Sequence, residues 1–387
     1  MIATDVERLT RAALSRLAEP GDVRLTSLVE QLGATRVHDL LVAGPGPAAQ
    51  GDRRDDQGLA DDVATRLVSL DPARELEIAH RQGIRFIIPG DVEWPTGLDD
   101  LSGAGALHER GGVPVGLWVR GPARLSEVTS AVAVVGSRAA TSYGGAIAGE
   151  IAGECATHRM AVVSGGAFGV DIAAHRAALA VGGLTVGVLA CGVDRYYPQS
   201  NADLLRRIAE VGALVSEAAP GCAPQRVRFL ARNRLIAALT AGTVVVEAAS
   251  RSGALNTANW ATRLNRVVMG VPGPVTSETS AGVHEQLQAG VMQLVTGAHD
   301  VRELLGRSGE ELAPQRPRRR DVRDRLAPRQ RQVLDAVPVA GAVPVDSVAR
   351  VAGLGLLEVQ ASLTRLARAG LVQQEGGGWR LSGLARA

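Results

Sequence analysis

Lysine is missing from this chain of 387 residues, so all 42 of its fixed positive charges are arginines. That absence excludes a phosphate loop ending in Gly-Lys-Ser/Thr and any chemistry that runs through a lysine Schiff base. The charge that remains is planar, permanently ionised and suited to bidentate phosphate contacts and to stacking. Aromatic residues are scarce, at 3%, so recognition by stacking would fall on very few rings. The three cysteines, Cys155, Cys191 and Cys222, form no CxxC pair; a zinc site or disulfide framework is not expected, and each reads as a small buried hydrophobe. No apolar run reaches the roughly 20 residues of a membrane helix. The start, MIATDVERLTRAALSRL, is a charged amphipathic segment rather than a signal core, so a cytoplasmic protein without membrane contact is expected. GxSxG, HExxH and EF-hand patterns are also missing, and no metal or cofactor is expected. The formal charge is only +2, so a nucleic-acid surface would have to come from local clustering.

What is present divides the chain into four stretches. Residues 1–80 carry helical spacing over 6–17, 23–32 and 64–83 and read as a helical, SAM-like N-terminal domain, interrupted by a Gly/Pro-rich charged insert at 44–58. Residues 81–305 alternate short β-branched runs with Ala-rich helical segments. Strands are expected at 131–136, 160–165, 184–190, 213–217, 243–248, 266–271 and 292–295, with extra strand material at 84–91 and 115–121. This is the pattern of an α/β fold: a Rossmann-like, mostly parallel sheet, mixed at its edge, with helices on both faces. Residues 306–326 form a basic linker; eight arginines face two aspartates over 316–331. Residues 327–387 read as a winged helix of three helices and a glycine-turn hairpin, a module that contacts DNA or protein.

The chemistry sits in the loops after the strands. In VVGSRAATSYGG (134–145), Gly136 permits a sharp turn that leaves Ser137 and Arg138 at the carboxyl edge of the sheet. In VVSGGAFGVDIAAH (162–175), Ser164, Gly165, Gly166 and Gly169 make a tight strand-to-helix loop. Its backbone N–H groups could hold phosphate at a helix N-terminus. The loop reads SGGAFG rather than GxGxxG and no acid ends the second strand, which argues against a dinucleotide site. In RFLARNRLIAALT (228–240), Arg232 and Arg234 flank Asn233, and SRSGALNTA (250–258) adds Ser252 and Gly253. Asp171 and His175, one turn apart, could mimic an acid–base pair; the simpler reading makes Asp171 a helix-start residue and His175 a packing residue.

Taken in order, GSRAATSYG (136–144), SGGAFGVDIAAH (164–175), GVDRYYPQSN (192–201), SEAAPG (216–221), RFLARNRLIAAL (228–239), VVVEAASRSGALNTA (244–258) and VPGPVTSETSAG (271–282) resemble the DprA/Smf family of DNA-processing proteins. The resemblance spans about residues 83–300. It implies a homodimeric, non-enzymatic protein that binds and protects single-stranded DNA and helps load the RecA recombinase during natural transformation. It also implies a DNA pocket lined by Arg138, the loop of Ser164, Gly165 and Gly166, and Arg232, Asn233 and Arg234, with Phe168 placed to contact a base. Two departures stand out: His284 replaces a usual asparagine, and the family's pocket lysines have no counterpart, with Arg226, Arg228 and Arg251 as candidate substitutes. Phosphate contacts should then dominate, giving steep salt dependence and little sequence preference. Two other classes compete. One is a nucleotide phosphoribohydrolase of the lysine-decarboxylase-like (LOG) group, whose PGGxGT loop and following glutamate are replaced here by SRSGALNTA. The other is a DNA-binding regulator led by the winged helix.

Overall fold

The computed structural model describes residues 5–43, 70–128, 130–306 and 326–383. The chain divides into two compact units, Met1–Leu312 and Ala313–Ala387. The first begins with α1 (Asp5–Leu17), α2 (Val23–Leu32) and α3 (Ala34–Ala43), followed by α4 (Pro72–Arg81). Side-chain caps set two of the starts: the Asp22 carboxylate accepts from Arg24 N before α2, and Asp71 accepts from Arg74 N before α4, which also opens on proline. The periodicity had not suggested α3. The insert at 44–58, residues 64–69 of the expected third helix, and residues 307–325 of the linker lie outside the described residues.

A nine-stranded sheet forms the centre. Its strands are β1 (Ile84–Ile87), β2 (Leu117–Arg120), β3 (Ala131–Gly136), β4 (Ala161–Ser164), β5 (Thr185–Val188), β6 (Ala213–Ser216), β7 (Gly242–Val246), β8 (Val267–Val271) and β9 (Gln293–Leu294). They lie in the order β1-β2-β6-β5-β4-β3-β7-β8-β9. All neighbours from β6 to β9 pair in parallel, while β1 and β2 pair antiparallel at one edge. The seven expected parallel strands and both extra ones are present. The parallel strands are joined by α5 (Ser142–Thr157), α6 (Val170–Ala180), α7 (Ala202–Val211), α8 (Arg226–Ala238), α9 (Gly253–Arg263) and α10 (Glu278–Gln288), and α11 (Ala298–Leu305) follows β9.

Alternation along each strand feeds two separate cores. Val132 and Val134 of β3 and Val244 and Val246 of β7 pack with Ile151 of α5 and Ala174 of α6. Val135 and Val245 point the other way, toward Leu235 and Ile236 of α8 and Trp260 of α9. Burial on both faces explains why these strands read as continuous apolar runs. From β3 the chain moves outward through β4, β5 and β6, then returns to lay β7 on the other side of β3. The carboxyl ends of β3 and β7 therefore diverge at a topological switch point, where open α/β sheets form a crevice.

The second unit comprises α12 (Pro328–Asp335), α13 (Val345–Ala352), α14 (Leu356–Arg368) and a hairpin of β10 (Val372–Glu375) and β11 (Gly378–Leu381), closed around Val333, Val348, Val359, Leu363 and Leu366. Gly376 and Gly377, at φ +59 and +81, make the hairpin turn. No described helix is long and apolar enough to cross a membrane. Ile151 is fully buried between α5 and the sheet. Ile151→Ala should lower unfolding free energy by about 2–5 kcal/mol, read from the midpoint of chemical denaturation.

Candidate nucleic-acid interface

At the switch point opens a hollow of about 1030 Å³. One wall is the loop after β3, with Gly136, Ser137 and Arg138; another is the start of α9, with Ser252 and Gly253. The third is a stripe of α8, Phe229, Arg232, Asn233 and Ile236. Those four recur at helical i, i+3, i+4, i+7 spacing and so share one face. Gly136 is dictated by contact: a Cβ there would fall 1.9 Å from the Val246 carbonyl oxygen. Ser137 N donates to the Glu247 carbonyl at 2.7 Å. Glu247 is buried at φ +56, and its carboxylate accepts from the Thr141 amide and hydroxyl just before α5. This fixes the β3 loop against the β7 loop. The Glu247 carboxylate is engaged by Thr141 and does not line the hollow.

Arg232 dominates the electrostatics. It is 6% exposed, and it makes no hydrogen bond or salt bridge among the described residues; its buried Nε has no partner. Its guanidinium carbon lies 6.0 Å from the centre of the Phe229 ring, that of Arg138 lies 5.2 Å from the same centre, and Tyr197 sits 6.1 Å away, ring to ring. Burial pushes the Arg232 guanidinium below its usual range, opposed by the Asp171 charge and reinforced by Arg138. Burial likewise raises the Asp171 carboxyl, which Arg232 and the loop amides pull back.

The glycine loop has a different job from direct phosphate capture. Asp171 Oδ2 accepts from both Gly165 N and Ala167 N at 3.2 Å, and Val170 N donates to the Ser137 carbonyl. The Ser164 hydroxyl donates to the Val134 carbonyl at 2.7 Å, and Gly166 O accepts from Asn201. Gly165 is bare because Arg232 lies on it: a Cβ would stand 1.4 Å from Nη1. Gly169 is bare because a Cβ would stand 2.2 Å from the Ser137 carbonyl.

The structure thus brings Gly136, Ser137, Arg138, Arg232, Asn233, Ser252 and Gly253 to the hollow, with Arg226 and Arg251 exposed on its lining. Ser164, Gly165, Gly166 and Gly169 lie behind it, and Phe168 is exposed outside its lining. Arg234 faces away: Nη1 and Nη2 donate to Glu217 at 2.7 and 2.9 Å, and Nε donates to the Gly112 carbonyl. Arg228 is likewise occupied, by Glu19 at 2.7 Å. His284 Nε2 lies 3.1 Å from the Gly273 carbonyl. Phe229, Tyr197 and Asn256 line the hollow but were not singled out from sequence; the helical register of Phe229 with Arg232 was the available signal. Cys191 is buried, which pushes its thiol up to about 11, and among the described residues no cluster of His, Cys, Asp or Glu is fit to hold a metal.

Residues 85–306 match the family DNA recombination-mediator protein A. The chain belongs to this family. The DprA DNA processing protein of Mycobacterium tuberculosis (strain H37Rv) is 47% identical over 375 residues, covering 96% of this chain and 93% of that protein. Smf of Escherichia coli is 36% identical over 255 residues, 64% of this chain and 67% of its own length. The X-ray structure of DprA from Streptococcus pneumoniae superposes with a TM-score of 0.60 at 28% identity, covering 78% of this chain and 98% of that one. The recombination-mediator family is one of DNA-binding proteins, not of enzymes. That assignment agrees with a site rich in arginines and amides, with Phe229 and Tyr197 among its lining.

Two predictions follow from the buried groups. The Arg234–Glu217 pair is 0% and 6% exposed, so Glu217→Ala, which strands the guanidinium, should cost about 3–5 kcal/mol by thermal or urea unfolding. His175 is buried, with Nδ1 on the Thr185 hydroxyl at 2.7 Å and no hydrogen bond to Asp171. Burial, then the Arg232 charge, lowers its pKa from 6.5 to about 4. The unfolded chain takes up this proton first, so the contribution is complete above 6.5 and is lost as pH falls toward about 4, by about 3 kcal/mol in all. His175→Gln should flatten the stability–pH curve across that interval; an unchanged slope would exclude His175 as its source.

Proposed function

We propose that this protein binds single-stranded DNA in the hollow at the switch point, protects it, and passes it to a RecA-type recombinase during transformation or recombination. The observation that carries this reading is Arg232, a buried guanidinium without a hydrogen-bond partner, beside the Phe229 ring that the exposed Arg138 also approaches. A buried cation left unpaired calls for an anion, and the guanidinium planes and the Phe229 ring are groups on which a base can stack. Exposed Arg138, Arg226 and Arg251 would follow the phosphates at the rim. The family resemblance adds RecA as the receiving partner and a homodimer as the working form. It also adds a C-terminal winged helix, with which the order of three helices and a hairpin in the second unit is consistent. The domain limits 1–80, 81–305, 306–326 and 327–387 and the cytoplasmic setting belong to the same proposal.

Arg138→Ala combined with Arg232→Ala should weaken binding of a fluorescent oligothymidylate more than about tenfold, since each charge-assisted contact contributes roughly 1–3 kcal/mol. Affinity of the unaltered protein should fall steeply with salt as counterions are released. A flat salt response, or full affinity in the double variant, would remove the hollow as the binding surface. Loss of all DNA binding on deleting residues 325–387 would instead favour a regulator led by the second unit.

A further inference from the structure

The helix that carries the buried arginine of the hollow does not supply its own counter-charges. α8 begins at Arg226 with no side-chain cap from Gln225 and no acid in its first turn, yet that turn holds Arg226 and Arg228. Cations at a helix N-terminus oppose the helix dipole. The acids come from elsewhere in the chain. Glu19, in the turn between α1 and α2, accepts from Arg228 Nε at 2.7 Å and from Nη2 at 2.9 Å, and the Arg228 side chain is 9% exposed. Two residues on, Gly21 N donates to Glu217 Oε1 at 3.2 Å, the carboxylate that also holds Arg234. Gly21 stands at φ +64, and a Cβ there would lie 3.1 Å from Arg234 Cζ. Its carbonyl accepts from Gly111 N at 2.9 Å, beside the Gly112 carbonyl that takes Arg234 Nε. The segment 19–21 is thus seated against two of the arginines of α8.

The third, Arg232, stands between this segment and the hollow. It borders the hollow and also a void of about 10 Å³ shared with Pro20, Glu217, Arg228 and Leu235. That void is about the size of one water, so a shift of segment 19–21 meets little slack before it reaches Arg232. Arg228 and Arg232 are four residues apart and so are neighbours on one flank of the helix. Fixing Arg228 therefore fixes the roll of α8 that seats Arg232 on Gly165. Glu19, Pro20 and Gly21 do not themselves line the hollow. We infer that Glu19 is a positioning residue for DNA binding: through Arg228 it sets the roll of α8, and with it the place of Arg232, without meeting the strand. The N-terminal helices are thereby coupled to the site, and whatever moves the turn between α1 and α2 changes the grip on DNA. This inference rests on the single-strand reading above.

The test is a double-mutant cycle on the full chain, read by fluorescence anisotropy with an oligothymidylate. Glu19→Gln removes the charge with little change of shape and should weaken binding about three- to tenfold, a usual size for coupling between contacting groups. In an Arg232→Ala background the same substitution should change affinity by less than about twofold, because the group it positions is gone. In an Arg138→Ala background it should keep its full effect. A substitution that only loosened the fold would cost the same factor in both backgrounds, so equal losses would overturn the inference. No loss in the unaltered background would overturn it too, as would tighter binding, which would mean that Glu19 withholds Arg228 from the strand. If circular dichroism shows that Glu19→Gln does not fold, Glu19→Asp, which keeps the charge and shortens its reach, takes its place in the cycle. An unaltered protein that binds no oligothymidylate would sink the single-strand reading itself, an outcome distinct from intact binding with equal losses.

Discussion

Everything at this site depends on where the Arg232 guanidinium is held. It sits under the surface, against a glycine whose missing side chain is the space it occupies, with Phe229 on one side and the Asp171 charge acting on it. Removing a charge from water is costly unless something answers it. Asp171 answers only in part, because its Oδ2 is spent on the amides of Gly165 and Ala167. The glycine loop therefore grips an internal carboxylate, and that carboxylate supports an arginine. Anion-binding capacity that a bare loop would offer through its backbone has been transferred to a side chain on the facing helix. The result is a cation fixed in position yet still short of a partner.

The same constraint explains how much could be read beforehand. The strands were legible because strands buried on two faces read as continuous apolar runs, and β3, β7 and β8 are made almost wholly of Val, Ala, Met and Gly, with Thr243 the one polar residue. The loops were legible because Gly136, Gly165 and Gly169 stand where a Cβ would strike backbone or Arg232. Side-chain direction was not. Arg232 and Arg234 look equivalent in the string RNR, but two residues along a helix differ by about 200°, so when one faces the hollow the other enters the core and meets Glu217. Glu247 was invisible for another reason: its role depends on a positive φ, which sequence did not reveal, and on Thr141, 106 positions away.

Carrying no lysine has a structural use here. A guanidinium can stack on a ring and still present donors at its edge, whereas an ammonium has no plane to stack; Arg138 and Arg232 both approach Phe229, at 5.2 and 6.0 Å from its centre. That geometry turns one ring into a shared platform, which matters in a chain with so few aromatics. It also divides the hollow by depth. Arg138, Arg226 and Arg251 are exposed to solvent and ions, so their contribution is screened and graded by salt. Arg232, Asn233 and Asn256 are buried and act at short range where screening is weak. On the proposed reading, rim contacts of the first kind would gather a polyanion from any register, and contacts of the second kind would hold it at one place. On that reading a strand attached mostly through the rim would be peeled away phosphate by phosphate, each step losing a small, screened contact, until only the buried contacts remained. That asymmetry suits a protein whose task would be to hold a strand and then give it up, because handover requires breaking one strong attachment after many weak ones.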